Sequence, residues 1–195
     1  MKVLILYWSL TGNTEAVARA IADTVGESGH DCDLLKIGEN VEADWFGYDL
    51  VFVGSPVYEF LPPQNVINYL KKRFHYYRDV QGRLSPGSPM LGNKFMVAFC
   101  TYAGPHTGLH EAIPAVRYTE QFFEHLGFFI LDPIMVVGSF NAEALNGKFG
   151  YTKELCEKLN KQGRLGNISG RPNQSDLDEV RNRARGILNF VAAAF

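Results

Sequence analysis

Short, continuous apolar runs alternate with longer amphipathic stretches along this chain, and that alternation restricts its fold more than any other feature. Residues 3–7 read Val-Leu-Ile-Leu-Tyr. A run that is apolar at every position has no solvent face, so it suits a strand covered on both sides. Residues 13–27 follow with Val17, Ala18, Ile21, Ala22 and Val25 on one stripe, which predicts a helix ended by Gly29. Residues 31–37 form a second, more polar strand, placed nearer an edge. Leu50-Val51-Phe52-Val53 is a third, buried strand. Pro62 and Pro63 suit the first turn of a helix whose face is Val66, Ile67, Leu70 and Phe74. Between residues 38 and 48 there is little room for a helix.

The second half repeats the alternation. Residues 79–92 are a Gly/Pro-rich loop. A fourth strand runs through Phe95-Met96-Val97-Ala98-Phe99, and a helix over 109–126 carries Ile113, Val116, Phe123 and Leu126. Residues 129–137 are a fifth strand, broken early by Pro133. The last helix starts at Ser175, with Ser175 and Asp178 spaced as a capping box, and buries Leu177, Val180, Ala184, Ile187, Leu188 and Val191. Strands alternating with helices imply an α/β domain built on a parallel sheet with right-handed crossovers. Residues 139–172 are too long for a simple connection. They are expected to hold a helix at 151–161 and a loop at 163–170, as an extension of one domain spanning 1–195.

Composition narrows the function classes. The chain has 195 residues, 46% hydrophobic and 21% charged, with a net charge of −2. That balance fits a globular domain and offers no basic stripe for nucleic acid. No stretch approaches the roughly 20 apolar residues of a membrane helix. No signal peptide is expected, because 3–8 is too short for an h-region and lacks a basic flank. Cys32, Cys100 and Cys156 are scattered and form no CxxC or Cys/His cluster. No metal site or disulfide framework is expected, and a reducing, cytoplasmic setting is.

Ligands of open parallel sheets bind beyond the carboxyl ends of the strands. After the first strand comes Ser9-Leu10-Thr11-Gly12-Asn13-Thr14, directly before a helix. Backbone N–H groups and the helix dipole at such a turn suit an anion. The lysine of a nucleotide-hydrolase loop is missing, and so is GxGxxG. A phosphate is therefore the favoured ligand, although these residues also suit simple helix capping. After the third strand comes Gly54-Ser55-Pro56-Val57-Tyr58, and after the fourth Thr101-Tyr102-Ala103-Gly104-Pro105-His106-Thr107. Each loop places an aromatic near a strand end, where a flat heterocycle could be held. Taken singly, Tyr58 and Tyr102 also suit the covering of loop ends.

Ser9-x-Thr11-Gly12-Asn13-Thr14 resembles the FMN-phosphate loop of the flavodoxin family. Gly54-Ser55-Pro56-Val57-Tyr58 resembles the first flavin-flanking loop of flavodoxin-like proteins, and Thr101-Tyr102-Ala103-Gly104 sits where the second falls. The resemblance implies a doubly wound five-stranded sheet of order 2-1-3-4-5 and FMN as cofactor. It implies that Ser9, Leu10, Thr11, Gly12, Asn13 and Thr14 surround the phosphate. Pro56, Val57 and Tyr58 would line one side of the isoalloxazine. Thr101, Tyr102, Ala103 and Gly104 would meet its pyrimidine edge, where N–H donors stabilise charge gained on reduction.

Two functions follow from the resemblance. One is a redox protein that passes electrons through FMN to a partner protein. The other is an FMN-dependent NAD(P)H:quinone-type oxidoreductase acting on a small acceptor. Near-neutral charge, the extension at 139–172, and Pro105, His106 and Thr107 in place of acidic residues favour the second. The resemblance itself favours the first. A flavin-free partner-binding module is the third possibility, and the intact phosphate loop argues against it. His106 is a candidate proton donor to an acceptor, weighed against a plain loop role. Arg164 and Arg171 could hold a phosphate of NAD(P)H, or lie in a solvated linker. The Phe74-His75-Tyr76-Tyr77 cluster is either a half-buried surface or a homodimer contact.

Overall fold

A computed structural model describes residues 1–38, 41–147 and 150–194. Strands β1 (Lys2–Tyr7), β2 (Asp31–Lys36), β3 (Leu50–Pro56), β4 (Phe95–Tyr102) and β5 (Phe129–Val137) form one parallel sheet, in the order β2-β1-β3-β4-β5. This is the doubly wound α/β arrangement expected from the sequence. Helices are α1 (Asn13–Glu27), α2 (Gln64–His75), α3 (Ile113–His125), α4 (Ala142–Leu145), α5 (Lys153–Gln162) and α6 (Gln174–Ala192).

Each strand serves two cores, because successive side chains point to opposite faces. Val3, Ile5, Phe52, Val97 and Phe99 pack against α1 and α6 through Val17, Ile21, Val180, Ala184 and Leu188. Leu4, Leu6, Val51, Val53, Met96 and Ala98 pack against α2 and α3 through Val66, Leu70, Val116 and Phe123. This is why the central strands read as unbroken apolar runs. β2 pairs only with β1, and its more polar sequence reflects that edge. Among the described residues, no helix is long and apolar enough to cross a membrane.

The structure corrects several local expectations. Pro133 does not break β5; the strand runs through it with a register irregularity opposite Val97 and Phe99. An outer edge strand tolerates proline, since the missing N–H has no neighbour to serve. The guanidinium of Arg183 donates to the Pro133 carbonyl at 2.7 Å. Helix α2 continues through a π turn at Tyr76–Val80, so the expected loop starts later than residue 79. Residues 38–48, by contrast, agree with the expectation of little room for a helix: among the described residues they hold a single 3-10 turn at Trp45–Gly47, and residues 39–40 lie outside the description.

The cap of helix α6 is Asn173, two residues before the expected one. Asn173 accepts from the Asp176 N–H at 3.1 Å, and Asp176 accepts from the Asn173 N–H at 2.8 Å. The reciprocal box is thus Asn-x-x-Asp rather than Ser-x-x-Asp. Asp176 also receives both arms of the Arg171 guanidinium. That pairing holds its carboxyl below the usual range. A lowered folded pKa means that folding favours the ionised form. The stabilisation is complete above the unfolded pKa of about 3.9 and is lost as pH falls below it. Asp176→Asn is expected to cost about 1–2 kcal/mol at neutral pH, from one cap and one charge-assisted pair. Urea unfolding of both proteins should show this difference closing below about pH 4.

Candidate functional site

In this strand order the switch point lies between β1 and β3, where α1 and α2 leave toward opposite faces. The loops after β1, β3 and β4 therefore meet at one end of the sheet. Trp8 still belongs to the ladder, its N–H donating to the Gly54 carbonyl at 3.0 Å. Ser9 is buried, and its Oγ accepts the Gly12 N–H at 3.1 Å, which closes the turn. Gly12 is the N-cap of α1 at φ 91, a left-handed conformation that glycine adopts without strain.

This loop is fastened from two sides. The Thr14 hydroxyl, fully buried, shares a 2.7 Å hydrogen bond with the hydroxyl of Thr101 at the end of β4. The Asn13 amide donates to the Ser139 carbonyl at 2.8 Å, just past β5. Both side chains are thus engaged within the protein. Among the described residues, the Thr11 hydroxyl and the N–H groups of Thr11, Asn13, Thr14 and Glu15 meet no protein acceptor. Glu15, in the first turn, is flanked by Arg19 at 2.7 Å and Lys36 at 3.9 Å.

After β3, Val57 extends the ladder by donating to the Thr101 carbonyl at 2.9 Å. Tyr58 and Leu61 then exchange backbone hydrogen bonds of 2.9 and 3.0 Å. The two residues between them, Glu59 at φ 48 and Phe60 at φ 71, are both left-handed. Glycine and asparagine normally fill such a turn, so this one is strained. It pushes Phe60 outward to 56% exposure. Tyr58 is half-buried, edge-on to Trp8 at 6.2 Å, and burial pushes its phenol up to about 12.

After β4, Tyr102 is buried and its carbonyl accepts the Gly138 N–H at 2.9 Å. It borders, with Arg171 and Asp176, a cavity of about 190 Å³ beside β5. None of the residues lining it comes from the loops after β1 and β3. Ala103 and Gly104 follow with N–H groups that meet no acceptor among the described residues. Gly104 stands at φ 51, and its carbonyl accepts the Gly108 N–H at 3.1 Å. His106 is exposed, and its backbone N–H and that of Thr107 converge on Glu111 at 2.8 and 2.6 Å. Burial pushes up the Cys100 thiol behind this loop, as suits a packed side chain.

The segment after β5 contributes what sequence reasoning missed. Asn160, buried, accepts the Phe140 N–H at 2.8 Å and donates to the Phe140 carbonyl at 2.9 Å. The Arg164 N–H donates to the Pro105 carbonyl at 2.8 Å. Ser139 is tied to the Arg171 carbonyl by its N–H and its hydroxyl, at 2.7 and 2.9 Å. This segment therefore packs against the loop after β4 and reaches the phosphate-type loop through Asn13. Trp8 was also missed, although it is the first residue past β1 and an aromatic.

Comparison with known proteins agrees with this geometry. A flavodoxin-domain family model matches residues 4–82, which carry the first two loops. A flavodoxin from the domain Archaea superimposes with a TM-score of 0.59 at 16% identity, covering 98% of this chain and 99% of that one. Oxidised flavodoxin 2 from Bacillus cereus gives 0.63 at 15% identity, covering 97% and 99%. A flavodoxin, WrbA-like protein from Agrobacterium tumefaciens gives 0.59 at 13% identity, covering 100% and 99%. The chain is a protein of the flavodoxin-like fold. Residues 4–82 carry the flavodoxin domain match.

Proposed function

We propose that this chain binds FMN and moves electrons through it, as one flavodoxin-like unit that includes 139–172. The observation that carries this reading is the set of unpaired backbone donors. Four N–H groups open at the start of α1, and two more open after β4 on the neighbouring side of the crevice. The first set fits a phosphate at the positive end of a helix. The second fits the edge of a flavin that gains negative charge on reduction. FMN, when bound, supplies the redox chemistry.

The protein's residues do the holding. The α1 N–H groups and the Thr11 hydroxyl grip the phosphate, while Ser9, Asn13 and Thr14 keep the loop in shape. Pro56, Val57 and Tyr58 form one wall and Thr101 to Gly104 the pyrimidine edge. The partner is a redox protein, or NAD(P)H with a small acceptor. Three free cysteines without a disulfide suit a reducing, cytoplasmic setting. Purification followed by a visible spectrum tests the binding. Stopped-flow mixing with NADPH and NADH separates the functions, since rapid reduction supports the enzyme and indifference the carrier.

Tyr58 offers a local check. A tyrosine stacked on a flavin quenches its fluorescence. Tyr58→Ala is expected to brighten the bound flavin and weaken it by about 1 kcal/mol beyond lost area. A fluorescence titration measures both. Unchanged brightness and affinity would move the wall elsewhere, with Trp8, edge-on to Tyr58, the next aromatic to test.

A further inference from the structure

Every other arginine of the chain has a hydrogen-bond, ionic or ring partner for its guanidinium. Arg19 has Glu15, Arg73 has Tyr77, Arg78 has Asp79 and Arg83 has Gln81 and Phe46. Arg117 has Glu120, Arg171 has Asp176 and Arg181 has Asp178. Arg183 has the Pro133 carbonyl, and Arg185 has Glu27 and Asn182. Arg164 alone has none among the described residues, and it is exposed.

Its position is fixed by the fold. Gly163 and Gly166 bridge each other, so Arg164 and Leu165 form the tip of a tight turn. That turn is fitted against the loop after β4. A methyl group on Gly163 would come within 3.2 Å of the Pro105 Cα. One on Gly108 would come within 3.2 Å of Leu165 and 3.6 Å of the Arg164 Cγ. The Arg164 N–H donates to the Pro105 carbonyl. The backbone and the root of the Arg164 side chain are thus anchored beside the loop that holds Ala103 and Gly104, and its guanidinium has no partner among the described residues. Leu109 and Leu165, 42% and 36% exposed, stand beside it as apolar surface.

We propose that Arg164 binds a phosphate group of a nicotinamide dinucleotide approaching the flavin edge. The proposal rests on the FMN reading above. A guanidinium suits this ligand, because its planar fork matches phosphate oxygens two at a time. The neighbouring leucines suit the flat face of one of the two ring systems of such a molecule. The 139–172 segment then has a purpose, since it carries the cation to a loop that has none of its own.

The test uses FMN-loaded protein with oxidised NADP⁺ and NAD⁺, so that no turnover obscures binding. Equilibrium dialysis gives each dissociation constant. Arg164→Ala is expected to weaken dinucleotide binding about tenfold or more, and Arg164→Glu further, while Arg164→Lys retains part of it. FMN affinity and melting temperature should not move in any of the three. Loss with NADP⁺ alone assigns the contact to the 2′-phosphate, and equal loss with both assigns it to the pyrophosphate. Wild-type protein that holds FMN but binds neither dinucleotide at millimolar concentration overturns the proposal. So does an Arg164→Ala protein that binds them as wild type does, the result expected if Arg164 serves an acidic protein partner. Failure to take up FMN at all is seen before any dinucleotide is added, and removes the underlying reading together with the proposal.

Discussion

Replacing Thr11 and Thr14 together by alanine is expected to weaken FMN binding by about 2–4 kcal/mol, about 1–2 from the phosphate contact of Thr11 and the rest from the loop that Thr14 no longer braces. The two halves differ in kind. The Thr11 hydroxyl has no protein partner among the described residues, so Thr11→Ala should weaken FMN while leaving the apoprotein's stability within about 0.5 kcal/mol. The Thr14 hydroxyl is fully buried against Thr101. Thr14→Ala leaves a buried hydroxyl unpaired, so it should cost the apoprotein about 1–3 kcal/mol as well. Urea unfolding and FMN titration on the same three variants separate the effects. An apoprotein indifferent to Thr14→Ala would show that the buried pair contributes nothing to holding the loop.

The second large effect is expected at Gly104. A methyl group there would lie 2.6 Å from the carbonyl oxygen of Gly108 and 2.8 Å from its carbonyl carbon and Cα, and all three are backbone atoms that cannot swing aside. The residue also stands at φ 51, where a side chain adds its own strain. Gly104→Ala should therefore reshape the loop carrying the Ala103 and Gly104 N–H groups. We expect destabilisation of about 2 kcal/mol or more. Flavin binding should fall below detection in the same variant. Thermal melts and a flavin titration check both, with Gly82→Ala as the control, since it has positive φ but open space. Normal flavin affinity in Gly104→Ala would place the pyrimidine edge on a different loop.

Much of this fold is legible in the sequence, for a physical reason. β1, β3 and β4 are covered on both faces, and a strand without a solvent face has an unmistakable pattern. The loop before α1 is legible because its chemistry is local, with Ser9 and Gly12 three residues apart. What escapes reading depends on contacts across long separations. Thr14 meets Thr101 and Asn13 meets Ser139, and nothing near residue 13 announces either. Both residues read as surrounding the phosphate, and the hydrogen bonds of their side chains brace the loop from within the protein. The left-handed pair Glu59–Phe60 carries neither glycine nor asparagine, so the tight turn in the loop after β3 has no sequence signal. The purpose of 139–172 is hidden for the same reason, since it emerges only where Arg164 meets Pro105. The Asn173 cap could have been found, as Asn-x-x-Asp satisfies the same geometry as Ser-x-x-Asp.

The most direct measurement compares FMN with riboflavin on the wild-type chain. The two differ only in the phosphate, so the difference in dissociation constant reports what the start of α1 contributes. Six open backbone donors divided between phosphate and ring predict a yellow complex with FMN and binding of riboflavin weaker by a factor of 100 or more, on the order of 3 kcal/mol. Equal affinity for both, or no flavin uptake at all, would contradict the account.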